Sequence, residues 1–263
     1  MQNETIIRLG VFLGLFAVIA TAEALLPLRT VARKSRWPIN WALVLIDTLT
    51  LRLLALAVPL LAVGAALDAG ARGVGVLNHT SWPQWIEVII AVVILDFAIW
   101  LQHLLTHKIP ILWRLHQVHH ADAEMDVSTA IRFHPVEIAL SMLLKIGLVY
   151  VLGPSAVAVV LFEVLLNGTS LFNHANLNIP RPIDTVIRKI LVTPDMHRVH
   201  HSVHRDEHDS NYGFSLSIWD RMFGTYIAQP RAPHDSMEIG LKGDGMRPNT
   251  LLQTLMMPFG SRR

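Results

Sequence analysis

Four apolar stretches, each at least as long as a bilayer's hydrocarbon core is thick, restrict this chain more than any other feature. A spanning helix needs about 20 apolar residues. Within lipid, only helices and closed barrels satisfy every backbone polar group. Residues 6–28 reach that length, with Arg8 and Glu23 near the ends. Residues 41–67 form a second candidate carrying Asp47 and Arg52, which lie near one helix face and are close enough to pair. Residues 85–105 form a third, with Glu87 and Asp96 inside it. Residues 138–172 are too long for one span and are broken at Gly153-Pro154. That break predicts a helical hairpin with short arms, re-entrant rather than fully spanning. Composition agrees: 52% of residues are hydrophobic and 16% charged, against about 25% charged in soluble domains.

Basic residues orient the spans. Arg29, Arg33, Lys34 and Arg36 follow the first stretch, and Lys108, Arg114 and Arg132 follow the third. The loop after the second holds only Arg72, beside Asp68. By the positive-inside rule the first and third loops are cytoplasmic, the N-terminus is outside, and residues 174–263 return to the cytoplasm after the hairpin. The first residues lack a basic leader and a small-residue cleavage site, so the first span reads as a retained anchor. The net charge of +2 is a matter of membrane topology and implies no nucleic-acid partner. Size and targeting together suggest a bacterial inner membrane.

The chain has no cysteine and 14 histidines. This excludes disulfides, thiolate metal sites and thiolate catalysis. Eight of the histidines fall in three motifs: His103-Leu-Leu-Thr-His107, His116-Gln-Val-His119-His120 and His197-Arg-Val-His200-His201. Each spacing places its imidazoles on one helical face. Imidazole suits iron, zinc and copper, and eight rings exceed what one tetrahedral ion uses. The chain therefore reads as a carrier of two metals. Thr193-Pro194-Asp195 marks a helix start ahead of the last motif. The positive-inside topology puts all three motifs on one side of the membrane. That agreement is independent of the spacings.

The ordered histidine motifs, together with Arg132-Phe-His-Pro-Val-Glu137, Asn173-His-Ala-Asn176, Asp209-Ser-Asn-Tyr-Gly213, Trp219-Asp-Arg221 and Phe223-Gly-Thr225, resemble the fatty acid hydroxylase/sterol desaturase superfamily across residues 85–230. The resemblance implies a membrane oxygenase with two non-haem iron ions, a lipid substrate and O2. In the absence of a dinucleotide motif, electrons would come from a separate reductase. It implies as metal ligands His103, His107, His116, His119, His120, His197, His200 and His201, with His134 and His174 as further ligands. Glu137, Asn173, Asp195 and Asp209 are candidates to orient imidazoles. His204 and His208 continue the spacing but sit in a charged, loop-like stretch and are left out; His79 and His234 read as surface residues. Glu87 and Asp96 are candidates to line a substrate channel.

The expected fold is all-α: about four or five membrane helices, including the hairpin, capped by a cytoplasmic helical layer that holds the metals. Residues 1–83 supply N-terminal membrane helices, 84–230 the histidine region with its hairpin, and 231–263 a tail. Within the tail, residues 251–259 could lie on the interface or cover the site. Two other readings stand beside the oxygenase: a histidine-rich membrane metal-binding or transport protein, and a zinc-dependent membrane hydrolase. Spacing alone does not separate zinc from iron.

Overall fold

The apolar stretches fold as helices whose outward faces stay apolar. The computed structural model describes residues 2–57, 61–242 and 248–260. Helix α1 spans Gln2–Leu25, α2 Arg33–Ala57, α3 Ala62–Arg72, α4 Gln84–Lys108, α5 Pro110–His120, α6 Pro135–Leu152 and α7 Ala156–Asn173. Shorter helices follow: α8 Arg181–Ile187, α9 Pro194–His200, α10 Arg205–His208, α11 Ile218–Met222 and α12 Leu251–Met256. Among the described residues, five helical segments are long and apolar enough to cross a membrane, and the chain is an integral membrane protein. On α2, Leu45, Leu49, Leu53 and Leu56 form one stripe and are 57–83% exposed. An apolar face of that extent is stable in lipid and not in water.

Three expectations for the spans are corrected. The stretch 41–67 is not one helix: α2 begins earlier and ends at Ala57, α3 starts at Ala62, and residues 58–60 lie outside the described residues. Asp47 and Arg52 do not pair; Asp47 is buried with one carboxylate oxygen unpartnered, and Arg52 is exposed. Glu87 and Asp96 do not line a channel. Glu87 accepts from the Thr80 hydroxyl at 2.8 Å. Asp96 accepts from the Trp219 indole at 2.8 Å and the Leu216 amide at 3.3 Å, so it fastens the loop after the last histidine motif to α4.

The hairpin forms at the expected break, but its arms are not short: α6 and α7, 18 residues each, are both long and apolar enough to cross a membrane. Ser155 caps α7 by accepting from the Ala158 amide, and Gly153 turns the chain at φ 67°. Its tip abuts Gly75: a side-chain carbon added to Gly75 would lie 2.3 Å from the Gly153 nitrogen. Only glycine permits this approach and the positive φ of 99°. The tip therefore packs with the end of α3 at the face opposite the histidines, where Tyr150 donates to Asp68 at 2.8 Å.

All other long connections meet at the histidine face. Glu23, near the end of α1, accepts from the Val127 and Asn176 amides at 2.7 and 2.8 Å. Arg36, near the start of α2, pairs with Asp122 at 2.5 Å and Asp126 at 2.8 Å. Asn40 donates to Ser128 at 2.9 Å. Two N-terminal helices thus clamp both connections that flank the hairpin. Buried charges persist only when paired and hydrogen-bonded, so these contacts set the height of the histidine layer. The segment at 251–259 covers that layer. Leu255 accepts from His134 at 3.2 Å, and Met257 accepts from Gln117 at 3.4 Å.

Candidate metal centre

Prolines start the helices that carry the histidines. Lys108 ends α4, Pro110 occupies the first turn of α5, and Pro194 that of α9, where Thr193 caps by accepting from the Met196 amide. Proline costs nothing at that position, since its missing N–H has no intrahelical partner.

Nine buried imidazoles converge in two groups. His103, His107, His116, His120 and His200 form one; His119, His174, His197 and His201 form the other. Within each, one ring nitrogen per residue lies within 4.8 Å of all the others. Each HxxHH helix divides its rings between them. On α5 the i,i+4 pair His116 and His120 joins the first group and His119 the second. The last motif does the reverse: His197 and His201 join the second group and His200 the first. This reciprocal sharing ties the two groups side by side. His103 Nε2 and His116 Nε2 are 3.0 Å apart, and His174 Nε2 lies 3.1 Å from both His119 Nε2 and His197 Nε2.

Outer contacts select the inward-facing nitrogen. The Nδ1–H of His103 donates to the Tyr212 carbonyl at 2.7 Å, of His200 to Ser210 at 2.7 Å, of His174 to Ser170 at 2.8 Å and of His119 to Arg132 at 3.2 Å. A carbonyl can only accept, so each bond places the proton on Nδ1 and leaves Nε2 as the free lone pair. His116 donates instead to Glu137 at 2.6 Å.

The donor set fits a metal. Both ring nitrogens of His107, His120 and His201, together with Nδ1 of His197 and Nε2 of His200, are buried without a hydrogen-bond partner. So many unsatisfied polar atoms in one place would be costly without a ligand. Burial first, and then the neighbouring imidazoles, hold His119, His120, His197, His200 and His201 well below the ordinary histidine range. Burial brings His174 down to about 4. Neutral imidazole is the metal-binding form.

Several expected residues lie elsewhere. His134 belongs to neither group: it caps α6, its Nδ1 accepts from the Val136 amide at 3.2 Å, and its Nε2 donates to Leu255. Both nitrogens are used. Asn173 donates to the Phe214 carbonyl at 2.8 Å and touches no imidazole proton. Asp195 pairs with Arg198 at 2.5 Å. Asp209 stands 3.6 Å from His107 Nδ1 and binds Lys108 at 2.9 Å. Of the four candidate orienting residues, only Glu137 makes a hydrogen bond to a clustered imidazole. His208, left out on its setting, lies in the short helix α10, and with His107 and Asp209 it forms a third, half-exposed donor group. His79 is exposed, while His234 is partly buried, 3.9 Å from Asp195.

Sequence reasoning missed the contacts that hold most of the rings, because carbonyl oxygens have no residue signature. The one legible signal was Trp219-Asp220-Arg221. Asp220 accepts from the Tyr212 and Gly213 amides at 2.8 and 2.9 Å and from the Trp100 indole at 3.0 Å. It thereby pins the loop whose carbonyls orient His103 and His200.

A cavity of about 170 Å³ leads from the first group down between α4, α6 and α7. His103, His116 and Glu137 border one end; Ile99, Ile138, Leu166 and Phe214 supply apolar wall.

The sequence profile of the fatty acid hydroxylase family matches residues 88–225, just over half of the chain. The ornithine lipid hydroxylase OlsE of Rhizobium tropici is 30% identical over 182 residues, 69% of this chain and 53% of that protein. The alkylglycerol monooxygenase of Homo sapiens is 34% identical over 134 residues, 51% of this chain and 29% of that protein. The fatty acid hydroxylase vlmA of a Lecanicillium species is 24% identical over 181 residues, 61% and 47% of the two chains. The chain thus spans between about a quarter and a half of these relatives' lengths. No solved structure matches.

Proposed function

The chain belongs to the fatty acid hydroxylase family, and on that footing we propose that it is a membrane oxygenase that hydroxylates a C–H bond of a lipid, with two iron ions held by the nine clustered imidazoles. One observation carries the reading: a cavity among the membrane helices ends at two of those imidazoles, His103 and His116. Iron would supply the O2 reduction and C–H oxidation that no side chain can perform. The protein's own part is to keep the imidazoles neutral, aim their Nε2 atoms inward and hold an alkyl chain in a narrow cavity. The matched relatives are named for hydroxylation or monooxygenation, two of them on lipids with polar heads, and a lipid of that class is the proposed substrate.

The histidine layer faces the cytoplasm, on the side where the basic loops collect, and a separate reductase delivers electrons there. A bacterial inner membrane is the proposed location. The test supplies purified protein, a reductase system and a membrane-lipid extract under 18O2. The expected product is a hydroxylated lipid carrying one 18O atom; a hydrolysed lipid that carries no 18O would overturn the reading in favour of a zinc-type hydrolase.

Glu137 offers a finer check. Glu137→Ala removes the acceptor that orients His116, and losses of this kind weaken metal binding about 10–100-fold. Chelator competition should show that decrease while Glu137→Gln, which keeps an acceptor oxygen, loses less. Equal retention in both variants would assign Glu137 to cavity lining alone.

A further inference from the structure

We propose that Lys145 is a substrate-positioning residue: it binds an acyl oxygen, carboxylate or ester carbonyl, of the lipid and so sets which carbon reaches the histidines. The proposal rests on reading the cavity as the substrate site. Lys145 lies on α6 and borders that cavity opposite His103 and His116. It follows Glu137 by eight residues, a drop of about 12 Å along the helix. The cation therefore sits deep among the membrane helices, where ionisable groups are expensive and mark functional positions.

Its partners are on the page. Lys145 Nζ lies 3.0 Å from Glu163 Oε1, and Arg8 lies 2.6 Å from Glu163 Oε2. Glu163 is 3% exposed. Glu163 thus holds two cations, Lys145 and Arg8. An ammonium has three protons, and one bond to Glu163 leaves others for the cavity.

The neighbouring wall, otherwise apolar, also carries polar groups that a plain alkyl chain would not need. Gln102, Ser141 and Asn167 border the same space. Ser141 donates to Gln102 Oε1 at 3.2 Å, which leaves the Gln102 amide protons as donors. Asn167 is exposed on α7. Donors thus dominate the lower cavity, and their complement is an acceptor oxygen. Allowing for the reach of the lysine stem, that oxygen would lie on the order of 6–12 Å from the reacting carbon.

The test reads binding, not turnover. Detergent-purified whole protein is exposed separately to stearic acid, methyl stearate and octadecane, and retention is measured by native mass spectrometry. Wild type should retain the acid, or the acid and ester, at least tenfold better than octadecane. Acid alone assigns the site to a carboxylate; acid and ester together assign it to an acyl carbonyl. Lys145→Met should abolish the preference, Lys145→Arg should keep most of it, and Asn167→Leu, at an exposed position that folding does not need, should reduce it about threefold. An unchanged preference in Lys145→Met, or equal retention of octadecane by wild type, would overturn the proposal. Lipid retention without 18O incorporation would instead overturn the hydroxylase reading and leave Lys145's role standing.

Discussion

Purified protein should contain about two iron ions per chain, and His119→Ala and His200→Ala should each lower that content, by different amounts. The two substitutions strike different groups. His119 belongs to the four-histidine group, so its loss leaves three ligands; His200 belongs to the five-histidine group, so its loss leaves four. Four ligands still complete a tetrahedral shell. His119→Ala should therefore drop the content to about one ion per chain, with His200→Ala keeping more than one. Turnover should fall on the order of 100-fold or more in both, since even the outer partners of ligands cost about 10–100-fold. Elemental analysis beside a helicity measurement decides the matter. Wild-type metal content in both variants would remove the histidine groups as the centre. Two zinc ions in protein expressed with excess iron would keep the site and discard the oxidation chemistry.

The second large effect is expected at a residue that touches no clustered imidazole. Asp220 is fully buried and accepts from two backbone amides, the Trp100 indole and the Thr225 hydroxyl at 2.7 Å. Asp220→Ala leaves those donors without an acceptor in the interior, at about 1–3 kcal/mol each. A total loss of at least about 3 kcal/mol lowers the unfolding midpoint by roughly 6–12 °C for a chain of this size. The 210–213 loop should loosen first. Because its carbonyls orient His200 and His103, metal bound by the five-histidine group should be released before global unfolding. Asp220→Asn, which retains one acceptor oxygen, should show a smaller effect. A variant with the wild-type midpoint and wild-type metal retention would show that the loop is held by its other contacts.

How much of this was legible depended on whether a feature was local. The spans could be read because twenty apolar residues in succession leave a backbone in lipid no choice but helix. The shared side of the histidine motifs could be read because basic residues collect in alternate loops, and in the fold those loops do lie with the imidazoles. The helix start at Pro194 could be read because proline fixes φ and lacks an N–H. The break between α2 and α3 was missed although Pro59 stands in that apolar run, between the end of α2 at Ala57 and the start of α3 at Ala62, and proline interrupts a helix interior. His134 was misplaced for a different reason. In His134-Pro135 the same ring serves as a cap, and only the position of Leu255, over a hundred residues later, shows that its second nitrogen is engaged.

The sequence by itself determined the inventory: membrane helices, a hairpin, two helical faces of imidazole plus a third at the end of α4, and their common side. These follow from helix periodicity and solvation, which act within a few turns of chain. Tertiary structure alone decided the partition of nine imidazoles into groups of five and four, the carbonyls that select each reactive nitrogen, and the placement of Lys145 across a cavity from His103. Those depend on the angles and heights at which separate helices pack. Such packing is set by contacts between residues far apart in the chain, such as Arg36 with Asp122 and Glu23 with the Asn176 amide, and no local pattern encodes them.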